Sequence, residues 1–345
     1  MSLMIMDEIS GFKHRDIQRA MYGLLILLLI LQIEGCYYMQ AVRGHVDIMQ
    51  KRRPVDDVIQ DRNSPEALRE RLILVKQARQ FSIDELHLPD NDSYRSYAEL
   101  ERDFVVWNVF AAPEFSLQPK RWCYPIAGCV GYRGYFSKEA AHKRAEKLRQ
   151  DDYDVLVGGV AAYSTLGRFS DPVLSTMMRW SDLELVSVLF HELAHQKLYV
   201  RDDAEFNESF ATAVEEIGIE RWLASRDEYD RLREYRGHRE FRRLLMLHVR
   251  SARTELEELY DSPVDETQMR KRKQAILTRL KTLAEKEVNR TGRGAPGWLA
   301  QPINNASLIP LTLYRGKLAE FRQLLKDCHE DLKCFYDRAL ALSSP

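Results

Sequence analysis

His191, Glu192 and His195 form the pattern His-Glu-x-x-His, and the chain's chemistry concentrates there. Four residues is slightly more than one helical turn, so two imidazoles at that spacing point the same way and can share one cation. Glu192 falls beside them, placed to take a proton from a water held by that cation. Such a site needs a third protein ligand and one open position for water. Glu205, Glu208, Glu215 and Glu216 all follow closely enough to be considered. The five-residue pattern is short enough to arise by chance, so the elements that carry it decide its weight.

Those elements read as two helices joined by a turn. Ser181 and Glu184 have the spacing of a capping box, and Leu185, Val186, Val188, Leu189, Phe190, Leu193 and Ala194 would keep the helix behind them buried. Asp202 and Asp203 should end that helix and cap a second, over about residues 204–223. If the two run antiparallel about Arg201, His195 lies six residues before the turn and Glu208 seven after it. Glu215 is a further seven residues on, roughly 10 Å along the axis at about 1.5 Å per residue, too far to join both histidines. Glu205 lies nearer the turn, opposite Leu198, and points past the metal. Glu208 is therefore the expected third ligand. Glu215 shares nearly the same face and is expected to orient one histidine from behind, with an ordinary exposed glutamate as the competing reading. Asn207 is expected to help fix Glu208. A helix that merely satisfies these polar residues is the weaker reading, because two histidines and a glutamate are costly to bury idle.

The rest of the chain is expected to be α+β, mainly α, with a small sheet beside the metal-binding helix and a long helical hairpin. Ser64 as N-cap and Pro65 at the first helical position open a helix to about Leu86. Phe104 to Phe110 and Asp154 to Tyr163 read as strands, separated by an aromatic and glycine-rich stretch from Trp122 to Phe136. From about Asp227 to Val288 the chain is strongly charged and helical, with one break at Asp261-Ser262-Pro263. Leu244, Leu245, Leu247, Leu256 and Leu259, then Ile276, Leu280 and Leu283, supply its apolar seam, and the charged side reads as a solvated face. The tail beyond Leu313 reads as helical again. The 345 residues carry a net charge of -1, which gives no general attraction to nucleic acid, so no nucleic-acid partner is expected. Five cysteines are too few for a disulfide scaffold. Cys123 and Cys129 flank a turn and can pair. Cys328 and Cys334 fall in one expected helix, where a six-residue separation puts the side chains on opposed faces and argues against a bond.

At the N-terminus, Lys13, His14, Arg15 and Arg19 precede an uncharged apolar run from Met21 to Ile33. That run has the length of a signal-peptide core and is shorter than the ~20 residues that span a bilayer. Ile33-Glu34-Gly35-Cys36 resembles a bacterial lipobox, with Glu34 departing from the usual small or apolar residue. The expectation is a lipid on Cys36, with an uncleaved N-terminal anchor as the alternative. Both put the body of the chain outside the cytoplasm. Tyr37 is not the aspartate that retains lipoproteins at the inner membrane, so an outer-membrane anchor facing the periplasm is expected.

Phe190-His191-Glu192-Leu193-Ala194-His195-Gln196 with Asn207-Glu208-Ser209-Phe210-Ala211 resembles the zinc motif of aminopeptidase N and its relatives. Twelve residues separate His195 from Glu208 here, where those enzymes have about eighteen. The chain is more similar to a group of bacterial lipoproteins described as predicted aminopeptidases. The similarity runs through Gly35-Cys36-Tyr37-Tyr38 with Gln40-Ala41, Tyr132-Arg133-Gly134-Tyr135-Phe136, and Ala162-Tyr163-Ser164-Thr165-Leu166-Gly167. Asp171-Pro172 and Asn304-Asn305-Ala306 extend it, so that it covers most of the chain from Cys36 to about Leu325. This resemblance implies zinc, a gluzincin-type, zincin-like core and peptidase activity in the cell envelope, with peptide as substrate. It implies a signal peptide over 1–35, a metallopeptidase core over 36–225, the charged hairpin over 226–290, and a C-terminal segment, 291–345, completing the core. In zincins the strand before the metal-binding helix pairs with substrate backbone, which nominates Ala161, Ala162 and Tyr163. Tyr163 and Tyr314 are candidates to stabilise an oxyanion. A different class, a zinc-stabilised envelope scaffold or chaperone-like lipoprotein, stays open, although an intact Glu192 has no use in a purely structural site.

Overall fold

The computed structural model describes residues 37–124, 128–312 and 317–342. Residues 1–50 and Lys51–Pro345 are separate compact units. The described part of the first is one helix, α1, over residues 37–50. The signal-peptide segment, the lipobox with Cys36, and Tyr314 lie outside the described residues. Among the described residues no helix is long and apolar enough to cross a membrane.

The second unit is mainly α with small sheets. It opens with β1 (Arg52–Pro54), α2 (Val55–Gln60) and α3 (Glu66–Asp84). Pro65, not Ser64, is the N-cap of α3, and no side chain caps it. The reason is local: Pro65 keeps an extended ψ of 138°, so the helix starts one residue later than the composition suggests. Next come β2 (Ser96–Ala98), β3 (Val106–Pro113), β4 (Trp122–Tyr124), β5 (Gly128–Val130) and β6 (Tyr132–Tyr135). The following helix, α4 (Lys138–Gln150), escapes a reading based on apolar runs. Only Ala141, Ala145 and Leu148 face inward, and Ser137 caps it by accepting from Ala140 N. Helix α4 packs against β3 and β7 (Tyr153–Val160), and β8 (Val173–Leu174) follows. One sheet runs β6-β3-β7, so β7 is an edge strand, antiparallel to β3 with Val106 opposite Val160.

Two helices then carry the motif: α5 (Asp182–Lys197) and α6 (Ala204–Ala224). The remainder is α7 (Tyr229–Tyr260), α8 (Glu266–Thr291), α9 (Asn305–Thr312), α10 (Leu318–Asp327) and α11 (Leu332–Leu342). Helix α6 is apolar around most of its circumference because α3, α5, α7 and α10 all pack on it. Its Phe206 and Phe210 join Phe321 and Phe335 in a buried aromatic cluster, with Phe206 and Phe321 5.1 Å apart. The hairpin α7–α8 buries Val249, Ala252 and Leu256 against Leu277 and Leu280, and Leu245 against Ala284. Leu247 and Leu283 point to solvent instead of joining that seam, because they fall off the 3.6-residue stripe. Asn305 fastens α9 to the sheet, donating to the carbonyls of Pro113, Glu114 and Ser116.

Both cysteine pairs are bonded. Cys123 and Cys129 face each other across β4 and β5. The bond between Cys328 and Cys334 corrects the expectation from a single helix. His329 and Glu330 adopt positive φ and break the chain between α10 and α11, which lets the two cysteines meet across the bend.

Candidate metal and substrate site

Local rules start and stop α5. Ser181 Oγ accepts from Glu184 N at 3.3 Å, and the Glu184 carboxylate accepts from Ser181 N at 2.8 Å, a complete capping box. After the last turn Asn207 folds back on the connection: its Oδ1 accepts from Val200 N and its Nδ2 donates to Val200 O, both at 2.7 Å. Asp203 caps α6 through Phe206 N. The two helices then lie close because Gly218 has no side chain. A Cβ there would stand 2.6 Å from the ring of Phe190 and 2.8 Å from Leu86. Phe190 directly precedes His191, so this contact sets the depth of the first histidine.

The packing brings His191, His195 and Glu208 together, with one ligand atom from each within 4.8 Å of the others. His191 Nε2 lies 3.2 Å from His195 Nε2 and 3.2 Å from Glu208 Oε2, and His195 Nε2 lies 3.7 Å from that same oxygen. Glu215 is on the far side of His191, its Oε2 3.2 Å from Nδ1, and its Oε1 accepts from Ser187 Oγ at 3.1 Å. The outer nitrogen of His195 is buried and has no hydrogen-bond partner among the described residues. Asn207 does not reach this cluster; its side chain is spent on Val200.

The charges of the cluster are strongly coupled. Burial disfavours charge on His191, but hydrogen bonds from its ring to Glu208 and Glu215 outweigh that and push its pKa up to about 10. Burial alone would raise Glu208, yet the two histidines hold it down to about 2. Glu215 follows the same logic: burial raises its pKa, and His191, helped by Arg242, brings it below the ordinary value.

The loop after β7 forms one wall. Asp171, fully buried, accepts from Thr165 N at 2.9 Å and Thr165 Oγ1 at 2.7 Å, and its carbonyl accepts from Tyr94 N. Burial raises the Asp171 pKa, and the hydrogen bonds from Thr165 offset this only in part. Gln196, one residue beyond the second histidine, ties α5 to the segment before β2: Asn91 Nδ2 donates to its Oε1 at 2.8 Å, and its Nε2 donates to Ser93 Oγ. In that segment Tyr94 is buried in a left-handed conformation. The Tyr94 hydroxyl has no hydrogen-bond partner among the described residues, and burial with the charges of Glu192 and Asp171 pushes its pKa well up.

A cleft of about 860 Å³ opens from His191 and Glu192. Its walls are the end of β7 with Ala161 and Ala162, the N-terminal half of α5, and the face of α7 that carries Tyr235, His238 and Arg242. Tyr163 does not line it; its ring meets Phe136 edge-on at 5.7 Å. Reading the sequence alone misses Ser187, Gln196, Tyr235 and Arg242. Only Gln196 carried a signal, as the residue completing the HELAHQ string.

Residues 36–344 match the protein family described as "Putative aminopeptidase". With nearly the whole chain matched, the protein belongs to that family and is peptidase-like. No curated protein and no solved structure matches it significantly.

Proposed function

We propose that the protein is a zinc-dependent peptidase of the gluzincin type, an aminopeptidase anchored in the cell envelope through Cys36. The observation that carries this reading is the convergence of His191, His195 and Glu208, with His191 and the neighbouring Glu192 lining an open cleft. Their donor set fits zinc. Ligands about 2.0–2.1 Å from a tetrahedral ion lie roughly 3.3 Å from one another. The three separations here, 3.2, 3.2 and 3.7 Å, bracket that value. Glu215 would fix the His191 ring from behind, as outer carboxylates do for zinc-binding histidines.

Zinc held there supplies a Lewis acid that polarises the scissile carbonyl. Glu192 takes the proton of the attacking water and hands it to the leaving amine. The edge strand β7 offers backbone groups to an extended peptide, with Ala161 and Ala162 in the cleft wall. The envelope location rests on the residues before Tyr37: basic segment, apolar run and lipobox.

The test is metal analysis of the purified protein with its variants. Wild type should hold about one zinc per chain and Glu208→Ala little or none. Glu192→Gln should keep the metal and lose peptide turnover. A folded wild type that takes up no zinc would sink the proposal. Zinc bound with no hydrolysis of any peptide would favour the zinc-stabilised scaffold.

A further inference from the structure

The cleft holds several charged side chains, and their partners can be sorted. Glu184 is engaged by Ser181 N and Oγ. Glu215 serves His191 and Ser187, and His191 also faces Glu208. Arg231 pairs with Glu228, and His238 lies 3.9 Å from Glu234. Among the described residues this leaves two charged groups of the cleft without a hydrogen bond or ion pair, Glu192 and Arg242. One negative charge beside the metal ligands is explained by its work as a base. The positive one on the opposite wall favours the Glu215 carboxylate at a distance, but its own N–H donors meet no acceptor among the described residues.

The surroundings of Arg242 reinforce it. Tyr235, about two turns away on α7 and also in the cleft, is 5% exposed, and its hydroxyl has no hydrogen-bond partner among the described residues. Gly237 sits in the middle of α7, where glycine costs about 0.5–1 kcal/mol relative to alanine. The reason for it is visible: a Cβ there would collide with the guanidinium of Arg293, which the loop after α8 lays across the helix. Arg293 and Arg242 both disfavour protonation of His238, after burial, so the three groups lie within electrostatic reach of one another. An unpaired guanidinium, an unused phenol donor and a second cation are what a carboxylate needs.

We propose that Arg242, with Tyr235 and Arg293 behind it, binds the free C-terminal carboxylate of a short peptide. This rests on the peptidase reading and adds a substrate class to it. The N-terminal half of α5 bounds the cleft from Ser181 to His191, ten residues or roughly 15 Å of helix. Extended peptide covers about 3.3–3.6 Å per residue, so roughly four residues fit between the metal ligands and the end of the cleft. A chain short enough to end within the cleft can present its carboxylate to Arg242 on the α7 wall.

The experiment compares two tetrapeptides identical except that one is C-terminally amidated, using zinc-loaded full-length protein. The free acid should show a kcat/KM roughly 10- to 100-fold higher, the span of one charge-assisted hydrogen bond. Arg242→Ala should erase the preference, and Arg242→Lys should restore part of it. Arg242 is exposed on α7, so neither change threatens the core. Equal kcat/KM for the two peptides, or an equal loss on both in Arg242→Ala, overturns the subsite and leaves the peptidase reading intact. Hydrolysis of neither tetrapeptide overturns the subsite, and the peptidase reading falls with it only if no longer peptide is cleaved either.

Discussion

Helices α5 and α6 and helices α7 and α8 are both antiparallel pairs rich in Glu, Arg and His, yet they use those residues in opposite ways. On the hairpin, many charges pair along one helix at i, i+3 and i, i+4 in water, as Arg243 does with Glu240 and Arg253 with Glu257. Such pairs are worth little because solvent screens them and long side chains must be held still. Between α5 and α6 the same residue types are buried, converge from different helices, and hold partners whose protonation they shift strongly. Composition is therefore a poor guide to chemistry. What separates the two pairs is whether apolar residues surround the helix or only one stripe of it.

Gly218→Leu should break the comparison most, since the added side chain has to displace Phe190 and Leu86. Overpacking of this kind costs about 1–3 kcal/mol, read as a lower urea midpoint, and should weaken metal uptake along with it. An unchanged midpoint would show that α5 and α6 are not held at contact distance there. Glu215→Gln should leave the fold intact and lower zinc affinity roughly 10- to 100-fold, measured by competition with a chelator. A wild-type affinity in that variant would remove Glu215 from any part in the site.

The pH dependence sharpens the contrast further. His191 has a folded pKa raised from 6.5 to about 10, so its contribution to the stability of the metal-free protein is full below 6.5 and fades as pH rises through 10. Glu208 has a folded pKa lowered from 4.5 to about 2, so its contribution is full above 4.5 and fades as pH falls through 2. Metal-free protein should thus draw most from this pair between pH 4.5 and 6.5. Zinc must displace the His191 proton, so titration calorimetry at pH 8 in buffers of different ionisation enthalpy should show proton release on binding. No release would mean that His191 is neutral before the metal arrives. The smallest effect is expected on the hairpin: Arg243→Ala should change stability by less than about 0.5 kcal/mol, checked by thermal melting.

Much of this was legible in the sequence because it depends on local rules. A capping box, two acidic residues at a turn and a helical repeat are enough to put His195 and Glu208 on facing helices, and the structure does bring those side chains together. Helix α4 was not legible, since an element with three small or medium inward residues leaves almost no apolar trace. The Cys328–Cys334 bond depended on a bend at two non-glycine residues with positive φ, for which no residue type gives a warning. Arg242 stands 27 residues beyond Glu215 in the chain, and only the way α7 lies along the cleft connects them. Contacts between elements distant in sequence are set by the whole fold, so they become readable last.

The double hydrogen bond between Asn207 and Val200 makes the connection between α5 and α6 a ruler. A residue added between Leu198 and Asp203 would break the register in which Asn207 meets both backbone groups of Val200. A single inserted residue would then leave both helices formed and carry Glu208 away from the histidines. In the chain's descendants, the length of this six-residue segment should be among the least variable features of the protein, more constrained than the residues that fill it.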